Sequence, residues 1–378
     1  MPSATKVKPV WKKNPLPKVG DYVNSVGISG DGQKVIGGTY FFDYSKNANH
    51  NTTSAPLIEV GTFVWNAKGK LQWQDKFQAT EGVYWVALSR DGTRAAACGL
   101  MNSASGFIFA YDAAVGTKQL TFNTLVRVNM VAFSGDGAYL VAGAAATYLF
   151  KRTGSNWSAP QTIPCAAGDH VVAVAISDNG QWIVAGTYLG VVLLIKNNNG
   201  ALGAPISWQQ PAGTIHWVAM SADGSGFVAG ANSAKVFYFS TTSFPGTPTP
   251  AWTATLTGCT RCGAVAISGD GSLVSAVGNN GTAGKAFLFS NQGNAGQQLW
   301  AKATTRNPNS TSLDSAGQIM SVADGYPDST QGDFYLFDAA GNLKWSFKTS
   351  NMSWPMQISS DGSAIAAGSD DGNIYYFS

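Results

Sequence analysis

Cys259 and Cys262, in the run GCTRCG, are the most closely spaced of the four cysteines in this 378-residue sequence. A redox dithiol wants its first cysteine at a helix N-terminus, where the helix dipole stabilises the thiolate, and no helix is expected here. A c-type haem site would need His after the second cysteine, where Gly263 stands instead. Zinc takes about four ligands, so His216 and either His170 or Asp169 would have to join the pair. Cys259, Cys262 and His216 are therefore weak metal candidates. A local disulfide or two free thiols in a loop, away from the core, is the simpler expectation. Cys98 and Cys165 read as small core or loop residues.

Asp324, Asp328 and Asp333 also fall in one stretch and could offer oxygens to calcium. Their spacing matches no EF-hand loop, and a solvated acidic loop is the plainer reading. Asn51, Asn156, Asn309 and Asn351 each begin an Asn-x-Ser/Thr acceptor, which matters only in a eukaryotic secretory setting. With three histidines, no Gly-x-Ser-x-Gly and no phosphate loop ahead of a helix, no catalytic constellation stands out. Enzyme chemistry, whether hydrolase, lyase, metal-assisted or redox, is the minority reading, and it would rest on His170, His216 and Asp169.

The elements that hold these residues are set by a repeat. One phrase returns along the chain: an apolar strand, Ser-x-Asp-Gly, a second apolar strand, then Gly. It reads VNSVGISGDGQKVIGG from Val23 and VNMVAFSGDGAYLVAG from Val128, and is weakest as PNSTSLDSAGQIMSVA from Pro308. The turn glycines fall at 32, 92, 137, 180, 224, 271, 317 and 362, so that after a first interval of 60 they lie 43 to 47 residues apart. Asp-Gly between apolar strands marks a tight hairpin, because Gly accepts positive φ and Asp bonds nearby backbone groups. The recurring aspartates Asp31, Asp91, Asp136, Asp223, Asp270 and Asp361 are accordingly turn residues, not acids for catalysis. In the first strand a small residue recurs at Gly27, Ala87, Ala132, Ala175, Ala219, Ala266 and Ser312, as crowding around an axis requires.

A period in the mid-forties with four strands per repeat is the mark of a β-propeller blade. The expected fold is all-β: a single eight-bladed propeller over residues 1–378, of four-stranded antiparallel blades. Its first strands should lie near 22, 82, 127, 170, 214, 261, 308 and 353. The eighth repeat ends at IYYFS without a fourth strand, and the segment about 8–13, around Trp11, has the missing pattern. Pairing Val10 to Lys12 with Ile374 to Phe377 would close the ring and leave no sheet edge exposed.

Fourth strands usually carry tryptophan: Trp73, Trp157, Trp208, Trp252, Trp300 and Trp345, with Leu120 and Phe122 in the second repeat. With stretches such as DGNIYYFS and DAAGNLKW, the chain resembles the PQQ-like and WD40-like repeat propellers over essentially its whole length, and the quinoprotein type more closely, since Trp-Asp dipeptides are missing. That resemblance implies that the tryptophans dock neighbouring blades. It does not carry over a cofactor: quinoprotein dehydrogenases hold their quinone under adjacent cysteines, and none are adjacent here. Neither PQQ nor any other cofactor is expected.

Only 12% of residues are charged and the net charge is +3, about half the usual charged content. Lys6, Lys8, Lys12, Lys13 and Lys18 make no basic stripe beyond solvated strand edges, so nucleic acid is not an expected partner. No apolar run reaches the roughly 20 residues of a membrane span. A soluble monomer is expected, its composition leaning towards a secreted or periplasmic protein, with a cytoplasmic one also compatible.

Function then falls to the variable loops of one face, the upper one, formed by the second-to-third and fourth-to-first connections. The longest, 39–60, accounts for the wide first interval. Where the first strands begin, around a central channel mouth, the repeats place Asn24, Tyr84, Trp85, Asn129, His170, His216, Trp217, Arg261, Asn309 and Trp354. Polar and aromatic groups converging on a concavity suit a ligand or a partner, although Trp85 and Trp217 sit in register with small inward residues and could simply pack. The expectation is a non-enzymatic binding or scaffold protein that takes a protein or an extended ligand on this face.

Overall fold

The Ser-x-Asp-Gly phrase builds its own hairpin. Ser29 Oγ donates to Asp31 Oδ1 at 2.6 Å and accepts from Lys34 N, Asp31 Oδ1 also accepts from Gln33 N, and Gly32 turns the chain at φ +69°. The same bonds recur at Ser89–Asp91, Ser268–Asp270 and Ser359–Asp361, and Asn179 substitutes for Asp in the fourth repeat. Hydrogen bonds to the carboxylate favour its charged form, which holds Asp91, Asp223, Asp270 and Asp361 below the ordinary carboxylate value despite some burial. The seventh repeat, whose motif is degraded, compensates: Asp314 replaces the serine and itself accepts from Ile319 N at 2.9 Å.

In the computed structural model residues 5–17, 22–41, 57–102, 104–211, 213–326 and 331–378 are described. Every regular element among them is a β-strand, and no helix is long and apolar enough to cross a membrane. Most repeats form four antiparallel strands in sequence order, as in Ile215–Met220, Gly226–Ala231, Lys235–Ser240 and Trp252–Thr255; the third and fourth each add a two-residue strand, and the last has three strands of its own. Seven hydrogen-bonded sheets result. One has eight strands because the first two repeats join through the pair Tyr40↔Gly82. These four-stranded antiparallel units are compatible with the blades of a propeller.

Neighbouring repeats meet along their first strands, from Tyr22–Ile28 against Gly82–Leu88 through to Ser353–Ile358 against Tyr22–Ile28. A chain of backbone bonds follows the same path at the turns, donated by the residue before the turn Asp position or by the Asp itself. Gly30 N donates to Arg90 O, Asp91 N to Gly135 O, Gly135 N to Asp178 O and Asp178 N to Ala222 O; the series continues through Gly269, Ser315 and Ser360, and Asp361 N donates back to Gly30 O at 3.4 Å. These bonds satisfy turn amides that would otherwise face one another unpaired.

The N-terminal segment belongs to two sheets. Trp11–Lys13 pairs antiparallel with Ile374–Phe377, with Trp11 opposite Tyr376, and so supplies a fourth strand to the last repeat. Upstream, Thr5–Lys6 pairs in parallel with Leu343–Thr349 of the seventh repeat, an attachment with no signal in the sequence.

Cores lie between the sheets. Trp11 stacks on Tyr376 with centroids 5.3 Å apart and donates from Nε1 to Ala67 O of the first repeat at 3.0 Å. Trp73 and Trp300 donate likewise to Ala113 O and Ala339 O of the following repeats. These indoles lie on glycines of the next turn: a β-carbon at Gly116 would come within 2.6 Å of Trp73. Phe122 does the equivalent work against Tyr148 and Phe150. Trp157 departs from expectation. It sits in a short hairpin strand, Asn156–Trp157, against its own repeat's Phe133, while the fourth strand is Gln161–Pro164.

Candidate functional site

Polar residues at the start of the first strands are aimed by a backbone irregularity. In seven first strands the pairing register with the second strand slips by one residue: between Val23 and Ser25, Val83 and Trp85, Val171 and Ala173, Ile215 and Trp217, Cys262 and Ala264, Pro308 and Ser310, and across Ser353 to Met356. Such β-bulges leave one residue outside the ladder and re-aim its side chain. The skipped residues include Asn24, Tyr84, Val172, His216, Gly263, Asn309 and Trp354, and Asn129 occupies the matching place just before Met130–Phe133. All eight line one cavity of about 320 Å³. The sequence did carry a signal for this. Buried residues three apart, Val23 with Val26 and Val83 with Val86, cannot both face inwards in a regular strand of period two.

The ten residues singled out from sequence all line this cavity. The asparagines also have structural work. Asn24 Nδ2 donates to Tyr84 O and Asn129 Nδ2 to Val171 O, each at 2.7 Å, and Asn309 Nδ2 donates to Ser353 O at 3.2 Å. Each thus satisfies a carbonyl on the free edge of the next first strand, which no neighbouring strand pairs. Ser25, Ser310 and Ser312 accept from the matching amides of Val86, Met356 and Ile358. Asn24 Oδ1 in turn accepts from Trp354 Nε1.

Trp85 and Trp217 come from different repeats and meet edge to face, with centroids 5.2 Å apart. Both also pack on the inter-sheet cores. Bulky residues thus stand where other repeats have Ser25, Ala173, Ala264 and Ser310, and the pair forms part of the cavity wall. A second, smaller and more polar space of about 190 Å³ lies at the turn end, beside the Arg90–Asp178 ion pair at 2.8 Å.

Sequence reasoning missed Arg127, Tyr188, Thr214, Asn232 and Gln357, which also line the cavity. Arg127 is fixed from three sides: Nη1 lies 3.3 Å from Glu81 Oε1, Nε donates to Asn129 Oδ1, and the guanidinium lies 4.4 Å above the Tyr84 ring. Tyr188 stacks on His170 with centroids 5.0 Å apart.

Burial, reinforced by the positive charge of Arg261, pushes the His216 imidazole down to about 4. Burial also lowers His170, against an opposing pull from Asp169. Asp169 does not act on His170 through an imidazole hydrogen bond; its Oδ1 accepts from the backbone N–H of His170 and of Leu189, fixing the loop. The arrangement on which an acid–base reading would depend is therefore given to loop geometry.

Two expectations are corrected. Cys262 is in the first strand Arg261–Ile267 and fully buried in an inter-sheet core, where burial pushes its thiol up to about 12; only Cys259 sits in the loop. All four cysteines are free thiols. Asp324 and Asp333 are not solvated. They face each other across paired strands and are almost fully buried, with Asp324 accepting from Arg306 N, Asp333 N and Tyr335 Oη. Among the described residues no three His, Cys, Asp or Glu side chains gather as a metal site. Asp328, Asn51 and residues 42–56 of the 39–60 loop lie outside the described residues. Thr39 and Tyr40 end one strand and Ile58 to Val60 begin the next.

Compared with known proteins, the chain matches no protein-family model and no curated protein.

Proposed function

We propose that this chain is a single eight-bladed β-propeller, similar in kind to the PQQ-like and WD40-like repeat propellers, that works as a non-enzymatic binding module. In this reading Trp11–Lys13 completes the eighth blade, and the cavity at the start of the first strands receives a ligand or the tip of a protein partner. One observation carries the functional part: every repeat contributes its bulge-position residue to the same cavity. Bulges interrupt pairing, and repeating that interruption around one space suits a recognition surface better than it suits packing. The return of the backbone bonds from Asp361 to Gly30 supports the eightfold closure. The cavity volume is at the small end of ligand sites, roughly 300–1,000 Å³.

A fragment screen by ligand-observed NMR tests this. Hits should vanish for the combined Tyr84→Ala, His216→Ala and Trp354→Ala variant and persist for Gln33→Ala with Ser272→Ala in the opposite turns. Hits that survive the first set and are lost with the second would refute the assignment.

A further inference from the structure

We infer that the cavity binds an anion, specifically a carboxylate carried on a flat apolar body, and that Arg261 is its counter-charge. The inference rests on the cavity being a binding site and names the ligand chemistry. Two guanidiniums, Arg127 and Arg261, line the space, and among the described residues no Asp or Glu does. They are not equivalent. Arg127 is already neutralised by Glu81, which is 5% exposed, and is held over Tyr84. Arg261 is exposed at the edge of the space, and no described acid forms an ion pair with it. A cation left without an acid at the mouth of a low-dielectric concavity creates a positive potential that draws anions. Its reach is visible at His216, whose charged form it disfavours. Guanidinium also matches carboxylate geometry through paired N–H donors.

The remaining lining selects the rest of the ligand. Tyr84, His170, Tyr188, Trp354 and the Trp85–Trp217 pair present ring faces and edges, which favour a planar apolar body. A positively charged ligand would meet Arg261 with no Asp or Glu among the described lining residues to offset it.

The test uses three matched probes on the intact chain, 2-naphthoate, 2-naphthamide and 2-naphthylmethylammonium, titrated by calorimetry and by NMR. Naphthoate should bind at least about tenfold tighter than the amide, with the ammonium weakest, the scale expected of one charge-assisted contact. Arg261→Gln should bring naphthoate to the level of the amide while leaving the melting temperature unchanged, and Arg261→Lys should restore part of the difference. Equal binding of all three probes would overturn the anion inference and leave the cavity as a binding site. Naphthoate binding retained by the Tyr84→Ala, His216→Ala and Trp354→Ala variant would put the anion site elsewhere and overturn it as well. No binding of any probe at millimolar concentration would remove both the inference and the reading beneath it.

Discussion

Replacing Trp11 by Ala probes whether the two ends of the chain close the molecule. Trp11 is 8% exposed, lies 5.3 Å from Tyr376 at an interplanar angle of 4°, and bonds Ala67 O across the junction between last and first repeats. Trp252 is its counterpart in the middle of the chain: 7% exposed, 5.5 Å from Tyr238 at 12°, with Nε1 donating to Asn291 Oδ1 at 2.9 Å. Truncating a buried tryptophan costs about 3–5 kcal/mol, covering lost transfer energy and the cavity left behind. With an unfolding entropy of about 2.1 cal/mol/K per residue, a chain of this length has about 0.8 kcal/mol/K, so either substitution should lower Tm by about 4–6 °C. Calorimetry of both variants beside the parent protein decides the matter. If the N-terminal strand is integral, the two drops agree within about 1 °C and each trace keeps a single transition. A Trp11→Ala protein that melts with the parent while Trp252→Ala falls would show a fraying end and defeat the closure argument.

Two further outcomes follow from burial. Maleimide should label Cys259 and spare Cys262 in the native protein; Cys262→Ser should cost about 1–3 kcal/mol, because it buries a hydroxyl in an apolar core, whereas Cys259→Ser should be near neutral. Equal labelling rates would contradict the placement of Cys262. Against pH, Asp324 and His216 act oppositely. Asp324 is raised from 3.8 to about 6 by burial, so the folded state holds that proton longer and its contribution to stability is lost as pH rises from about 4 to 6. His216 is lowered from 6.5 to about 4, so its contribution is present above 6.5 and lost as pH falls towards 4. Urea melts at pH 4, 5, 6 and 7 should show stability rising less steeply with pH in His216→Gln and more steeply in Asp324→Asn than in the parent. Parallel curves for all three would show that neither group is shifted.

The repeat, its strands and the inward convergence of ten side chains were legible because each depends on local chemistry: a Ser-x-Asp-Gly turn reads the same in isolation as in the sheet. The bulges were less so. They arise from pairing with a second strand, and only the spacing of Val23 and Val26, or Ile215 and Val218, betrayed them. Arg127 went unread because its place beside Tyr84 depends on Glu81, far away in sequence. Cys262 was misplaced because the strand begins at Arg261 and carries the second cysteine inwards, which a loop-like GCTRCG conceals. Trp157 was taken for a fourth strand by its composition, but it precedes Gln161–Pro164, and the extra hairpin follows from pairing with Arg152 and Thr153.

The two-sheet attachment of the N-terminus sets a timetable for synthesis. Trp11 is synthesised 365 residues ahead of its partner Tyr376, since positions 11 and 376 are that far apart in the chain. At about 5–20 residues per second the strand waits roughly 20–70 s for that partner. Its lysines, Lys12 and Lys13, both exposed in the finished sheet, would keep it from pairing with another nascent chain in the meantime. Permuting the chain so that this strand is made after Phe377 would abolish the wait for that pairing.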